Sequence, residues 1–318
     1  MCMKIIIENW RKYLVEEKPT SVELIAPKYI RDYGYVFGTI DGTIISQHNE
    51  NELFYGASNN KPFLALFNLI NCSASKTPEQ TPCKCLTNDE LMALMSYDTK
   101  DEKGKRVKGL GHRGDSNIVN RALSRKISKT APGYTKKRGK ELCSPKDNEE
   151  ATDFLAMLGF DTNMKVRHGG WQNKQSALGY FKLLSFLSNP AEYLKKLNPD
   201  LLKNQHFVNS ADHILRYMKR EFSSGLDHEY KGRFLRHLKD LQNMGLKIGT
   251  LYGKGGYFQS ANNSAMIIDN KYIFALFCKV PSRINAEPRD GGKKYSVMKE
   301  MSKMIADVLI GSGKYSKI

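Results

Sequence analysis

The chain has 318 residues, of which 40% are hydrophobic and 26% charged, a composition typical of a globular protein with a substantial core. Its longest apolar runs are too short to span a bilayer, and its first residues lack the apolar stretch of a secretory signal. Six cysteines occur without the spacing of a zinc site, so we expect reduced thiols, no metal and no cofactor.

The formal net charge of +17 is unevenly distributed along the chain. Residues 101–140 carry 13 Lys or Arg against 3 Asp or Glu. Such a block is either a solvated surface or a contact for a polyanion such as nucleic acid. Zinc-finger and RNA-recognition signatures do not accompany it, which argues against sequence-specific reading of nucleic acid.

Predicted strands flank a long helical stretch. In chain order, the pattern indicates an amphipathic segment at 1–18, strands at 35–40 and 43–47 with an Asp41-Gly42 turn, and helices between Lys61 and Met244. Strands return within 247–259, 263–270 and 271–280, with Asp269-Asn270 as a turn, and a helix covers 296–310. Neither group of strands is large enough to be stable alone, so we expect the two groups to share one sheet.

The predicted fold class is therefore α+β. An antiparallel sheet is built from N- and C-terminal segments and flanked by helices, with a large all-helical lobe inserted. The corresponding domains are the segment 1–18, a sheet lobe of 19–57 plus 245–318, and a helical lobe of 58–244.

The stretch FYGASNNKPFLALFNLI places Ser58 three residues before Lys61, where a polar run becomes apolar. Ser58 is either a helix cap or a nucleophile with its base one helical turn away, because residues i and i+3 share a helix face. A lysine is a poor base at neutral pH. Burial and a nearby second cation would favour its neutral form.

A second lysine precedes two glycines, Lys254-Gly255-Gly256, within a predicted strand. Glycines allow the backbone of a strand to lie close to a substrate. The alternative interpretation is that Lys254 is a solvated lysine at the end of a strand.

The order of these features resembles the serine β-lactamase and penicillin-binding protein superfamily. Ser58 and Lys61 match its Ser-x-x-Lys motif, and Lys254-Gly255-Gly256 stands at its Lys-Thr-Gly position. The resemblance covers about Tyr35 to Ile310.

The resemblance implies an acyl-enzyme mechanism. Ser58 is then the nucleophile, Lys61 the general base and Lys254 a support for a carboxylate or oxyanion. The oxyanion would lie between the backbone N–H groups of Ser58 and Tyr257, with Gly255 and Gly256 beside the substrate.

The second motif of the superfamily, Ser-x-Asn, is matched only in part by HRGDSNIVNRAL. Asn117 fits the asparagine that orients the substrate, but Asp115 stands two residues before it and Ser116 only one. Either a carboxylate replaces the proton-shuttling hydroxyl, or a local shift brings Ser116 into place. The alternative is a helix N-cap, and MSYDT at 95–99 is a rival location for the motif.

The Glu-x-x-Leu-Asn stretch of class A β-lactamases is missing from the sequence between the second motif and Lys254, so we do not expect efficient antibiotic hydrolysis by that route. The expected substrate is a peptide or amide such as a peptidoglycan stem, or a β-lactam. Two alternatives stay open: a weak or inactive module that binds polyanions through 101–140, and a cytosolic amidase such as a glutaminase.

The N-terminal segment bears on location. Leu14-Val15-Glu16 resembles the site at which tailed-phage leader segments are cut, and a plain amphipathic docking helix is the alternative. With no secretory signal, we expect a protein of the cytoplasm or of a phage virion. The sequence does not predict an oligomeric state.

Overall fold

The computed structural model describes residues 28–71, 99–100, 106–107, 148–166, 173–197, 199–203, 208–209, 211–216, 218, 232–258, 260–281 and 293–317. Its strands are β1 (Asp32–Thr39), β2 (Ile44–His48), β3 (Phe54–Tyr55), β4 (Thr99–Lys100), β5 (Arg106–Val107), β6 (Lys174–Gln175), β7 (Leu251–Phe258), β8 (Ala261–Ile268) and β9 (Tyr272–Lys279). Its α-helices are α1 (Lys61–Asn71), α2 (Asn148–Met157), α3 (Ala177–Ser188), α4 (Pro190–Leu197), α5 (Gly232–Asn243) and α6 (Lys293–Gly311). Short 3-10 helices cover Ala57–Asn60 and Pro199–Lys203.

Within the described residues, the main sheet has five antiparallel strands in the order β2-β1-β9-β8-β7. Strand β1 pairs with β9 over its whole length, from Asp32 opposite Lys279 to Thr39 opposite Tyr272. The N-terminal hairpin and the C-terminal strands thus share one sheet, which confirms the predicted α+β class. Among the described strands, β7 lies at one end of this order and is an edge of the sheet.

The two turns predicted from sequence join the strands as expected. Gly42 has φ +96°, and Asp269 and Asn270 have φ +51° and +53°. Two consecutive residues with positive φ match the twist of a tight hairpin, and Asn and Asp tolerate this conformation better than most residues. The Asp269 carboxylate also accepts hydrogen bonds of 2.8 Å from the N–H groups of Gly249 and Thr250.

The sheet is buried on both faces because alternate residues of each strand enter different cores. In β9, Ile273, Ala275 and Phe277 pack with α1, α2, α3 and α4, while Phe274, Leu276 and Cys278 pack with α5 and α6. Within the described ranges, no helix is long and apolar enough to cross a membrane.

Helix α5 packs with α6 against one face of the main sheet. Its residues Phe234, Leu238 and Leu241 belong to the core that α6 closes. The sequence prediction had included this helix in the helical lobe at 58–244. Its apolar spacing predicts a helix but does not identify the surface that the helix covers.

Candidate active site

Ser58 and Lys61 lie on one continuous helical segment. The 3-10 turn Ala57–Asn60 runs directly into α1, and the N–H of Lys61 donates to the Ser58 carbonyl. Side chains three residues apart eclipse one another in a 3-10 turn, so the Lys61 side chain starts from the same face as Ser58. Ser58 is half-buried, and Lys61 is only 3% exposed.

Strand β7 contacts the same turn across 195 residues of sequence. The Asn59 side chain donates from Nδ2 to the Lys254 carbonyl at 2.9 Å, in a buried position. Gly256 faces the turn so closely that a Cβ atom there would overlap Asn59 Oδ1 and lie 2.5 Å from the Gly56 carbonyl oxygen. The structure therefore brings the two lysine motifs together in one region.

The side chains of β7 alternate between two environments at this point. Lys254 and Gly256 face the Ser58 turn, whereas Gly255 faces α5. Lys254 is 2% exposed, and its Nζ lies 3.4 Å from the Gly255 carbonyl oxygen. Tyr257 follows on the same strand and is half-buried. Ser58, Lys61, Lys254, Gly255, Gly256 and Tyr257 thus occupy one region.

The second-motif candidates Asp115, Ser116 and Asn117 lie outside the described residues. The same holds for nearly all of the basic stretch 101–140, of which β5 is described, and for Leu14-Val15-Glu16. In the rival stretch 95–99, Thr99 is described, as the first residue of β4. The roles assigned to these residues stay predictions.

The turn before Ser58 has an unusual backbone. Ala57 has φ +48°, in the left-handed region that a residue with a Cβ atom rarely adopts. Such a conformation costs on the order of 1 kcal/mol and persists where surrounding contacts hold it.

Three hydrogen bonds hold this turn through its carbonyl groups. The Tyr55 carbonyl accepts from Asn263 Nδ2 at 2.9 Å, and the Ala57 carbonyl accepts from Asn173 Nδ2 at 2.8 Å. Between them, the Gly56 carbonyl accepts from the N–H of Asn59 at 2.9 Å. The backbone before Ser58 is thus held by contacts from β8 and from Asn173, which directly precedes β6.

Asn263, which donates to the Tyr55 carbonyl, lies where the regular pairing of β8 with β9 is interrupted. The β8–β9 pairing includes Ala261 opposite Lys279 and Ser264 opposite Leu276, and between these pairs the N–H of Cys278 donates to Asn263 Oδ1 at 3.2 Å. One side-chain amide therefore joins β9 to the turn at Tyr55.

Sequence analysis missed Asn173 and Asn263. The available signal was the polar run Asn262-Asn263-Ser264 inside a strand that is otherwise apolar, all three of which are fully buried. Buried polar groups are almost always hydrogen-bonded, so such a run indicates a specific contact.

We expect the Asn263→Asp variant to lose about 2–4 kcal/mol of unfolding free energy. Aspartate has the same shape but cannot donate to the Tyr55 carbonyl, and it buries a charge facing that oxygen. Urea denaturation measures the loss. Asn270→Asp at an exposed turn is the matched control, because its oxygen can still accept from the Tyr252 hydroxyl. Equal stability of the two variants would contradict this role.

Arg233 of α5 is a further residue that sequence analysis did not find. It lies across Gly255, so a Cβ atom at Gly255 would be 2.6 Å from Arg233 Cδ. Its guanidinium donates to the Asn263 carbonyl at 2.5 Å and to Asn262 Oδ1 at 2.6 Å. Arg233 therefore occupies the space that a side chain at position 255 would need, which explains the glycine.

Metal chemistry finds no support in the part of the chain that the structure describes. In these residues, no group of three His, Cys, Asp or Glu side chains could hold a metal ion. Cys278 is a free, fully buried cysteine, and burial raises the pKa of its thiol, which disfavours the thiolate needed for metal binding.

Comparisons with known proteins gave similarities among solved structures. No protein-family model matches the chain, and no curated protein matches it. The β-lactamase of Francisella tularensis is 13% identical with a TM-score of 0.45, covering 98% of this chain and 100% of that one. The β-lactamase of Burkholderia vietnamiensis is 11% identical with a TM-score of 0.46, covering 98% and 97%. That of Desulfarculus baarsii is 14% identical with a TM-score of 0.42, covering 97% and 98%. The motifs at Ser58 and Lys254 resemble those of the serine β-lactamase and penicillin-binding protein superfamily.

Proposed function

We propose that the protein is a serine hydrolase that works through an acyl-enzyme on Ser58. The observation that carries the proposal is the buried hydrogen bond from Asn59 to the Lys254 carbonyl, because it joins the nucleophile turn to β7. A hydroxyl, two buried lysines and the backbone of an edge strand then share one region, which is the set of groups that acyl transfer needs.

In the proposed reaction, Ser58 Oγ attacks a carbonyl carbon and its proton passes to Lys61 Nζ. The burial of Lys61 favours the neutral amine that can accept this proton. The N–H groups of Ser58 and Tyr257 stabilise the oxyanion. When the carbonyl–nitrogen bond breaks, the proton passes to the leaving amine, and water later cleaves the serine ester.

The proposed substrate is a peptide or amide such as a peptidoglycan stem, in the manner of a DD-peptidase. Strand β7 is an edge of the five-stranded sheet, and an extended peptide can pair with such an edge through its backbone. Gly255 and Gly256 keep side chains away from this stretch. In this proposal, Lys254 stabilises a carboxylate of the substrate or the oxyanion, and Asn117 orients the substrate. Ser116 or Asp115 transfers the proton.

A fluorescent penicillin tests the proposal. The full-length protein is incubated with the reagent, digested, and its peptides are mapped by mass spectrometry, with Ser58→Ala as the background. We expect one adduct, on the peptide that contains Ser58. Since the sequence lacks the class A deacylation stretch, the adduct should be long-lived.

An equal signal from wild type and Ser58→Ala would overturn the proposal. So would the absence of any adduct with penicillins, peptidyl-D-alanine amides and activated thioesters. A non-enzymatic, polyanion-binding function through 101–140 would then remain, and a steep decrease of DNA affinity with salt would support it.

A further inference from the structure

A line of polar side chains runs through the core between the sheet and helices α5 and α6. Its members are hydrogen-bonded in sequence: Arg233, Ser264, His237, Ser302 and Asp240. The three central side chains are fully buried. The line begins at Arg233, which lies across Gly255 of β7, and the proposed reaction does not use any of its members.

Each contact in the line has the length of a good hydrogen bond. Arg233 Nη1 lies 3.0 Å from Ser264 Oγ, and Ser264 Oγ lies 3.0 Å from His237 Nε2. On the other side of the ring, His237 Nδ1 lies 2.8 Å from Ser302 Oγ, which is 2.9 Å from Asp240 Oδ2.

The chemistry of the two ends sets the direction of every bond. A guanidinium only donates and an ionised carboxylate only accepts. Ser264 Oγ therefore accepts from Arg233 and donates to His237 Nε2. The single proton of Ser302 Oγ is directed to Asp240 Oδ2 at 2.9 Å and to the Met298 carbonyl at 3.0 Å, so Ser302 accepts from the Nδ1–H of His237. This assigns the neutral Nδ1–H tautomer to His237.

The surroundings of His237 support the neutral ring. Burial lowers the pKa of His237 to about 3, with further contributions from Arg233 and Arg236. A protonated ring would have to donate from both nitrogens, and the bond from Ser264 would be lost. The line is thus intact at neutral pH.

We propose that His237 and Ser264 are positioning residues that hold Arg233 across Gly255 and so fix the β7 backbone beside Ser58. This inference rests on the proposed function for its catalytic consequence. Two adjacent glycines make a flexible strand, and the side chain of Arg233 supports one of them from the face opposite the Ser58 turn. A fixed strand edge holds the substrate carbonyl close to the geometry in which Ser58 Oγ can attack it.

Two substitutions of His237 separate positioning from packing. The amide of His237→Gln can accept from Ser264 and donate to Ser302, whereas His237→Leu can do neither. Ser264→Ala is a milder variant that removes one link and keeps the ring, in case His237→Leu does not fold.

The first measurement does not depend on catalysis. In ¹⁵N spectra, we expect a neutral His237 with a protonated Nδ1 from pH 8 to pH 4, and separate Nη–H signals for a fixed Arg233 guanidinium. The Arg233 signals should merge in His237→Leu and Ser264→Ala, and amide exchange at Gly255, Gly256 and Tyr257 should accelerate at least 10-fold. His237→Gln should retain the wild-type pattern.

The second measurement is the rate of Ser58 acylation by the fluorescent penicillin. We expect His237→Leu to be slowed about 10- to 100-fold, and His237→Gln less than 3-fold. In Arg233→Ala, the further change His237→Leu should add nothing, because the ring acts through the arginine.

The two measurements distinguish failure of the inference from failure of the proposed function. Unchanged Arg233 signals and amide exchange in His237→Leu overturn the inference, even if Ser58 is acylated. If the signals change in His237→Leu but the wild-type protein takes no acyl group, the proposed function is overturned, while Arg233 is still positioned as stated. Additive effects of Arg233→Ala and His237→Leu on acylation also contradict the inference.

Discussion

Replacing Lys61 with methionine should slow acylation of Ser58 by at least about 1,000-fold, without lowering the temperature of thermal unfolding. Methionine fills the same elongated space but has no lone pair that can take the Ser58 proton. Lys61 is 3% exposed, and methionine places an apolar side chain of similar length in this buried position. The substitution should therefore slow acylation without lowering stability, as expected where a site gives up stability for activity.

Stopped-flow labelling and a thermal melt measure the two effects. The matched control is Lys182→Met on α3. Lys182 donates to the Gly159 carbonyl at 3.2 Å, and burial lowers the pKa of its amine. It is a half-buried lysine that lies outside the proposed reaction, and its replacement should leave acylation within 3-fold of wild type. Similar rates in Lys61→Met and Lys182→Met would remove Lys61 from the mechanism.

The second large effect is expected for Gly256→Ala. The added methyl group would overlap Asn59 Oδ1 and lie 2.5 Å from the Gly56 carbonyl oxygen, so β7 and the Ser58 turn must separate. We expect acylation to fall about 100-fold and the free energy of unfolding to fall by about 1–3 kcal/mol. A backbone oxygen cannot rotate away as the end of a side chain can, so relaxation is limited.

Gly249→Ala is the matched control for this variant. A Cβ atom at Gly249 would lie 3.4 Å from Asp269 Oδ1, at the edge of ordinary contact. Acylation and stability of that variant should equal those of wild type. A Gly256→Ala protein with wild-type acylation would show that Ser58 does not depend on its contact with β7.

Much of the fold was predictable because its signals are local. Alternating apolar residues and the turns at Asp41-Gly42 and Asp269-Asn270 fix strand positions without knowledge of the partners. That the N-terminal and C-terminal strands share one sheet followed from a physical requirement, since neither group alone has enough strands to be stable. The apolar spacing of α5, by contrast, predicts a helix and leaves open which layer it joins.

The candidate site was predictable only where a motif is contiguous. Ser58 and Lys61 are separated by one helical turn, so sequence spacing already places them together. The contacts of Asn173 and Asn263 with the same turn span 116 and 208 residues. Arg233 can lie across β7 because Gly255 has no side chain. Nothing in the sequence indicates that Gly255 and α5 are in contact.

The pairing of β1 with β9 has a consequence for synthesis on the ribosome. Ser58 leaves the ribosome long before Asn263, Lys254 and β9, and translation at 5–20 residues per second separates them by roughly 10–40 s. During that interval the nascent chain carries Ser58 and Lys61 without β7, whose Lys254 carbonyl accepts the hydrogen bond from Asn59. The proposed function therefore predicts a nascent chain that is inert towards acylating compounds until its last strands have been translated and paired.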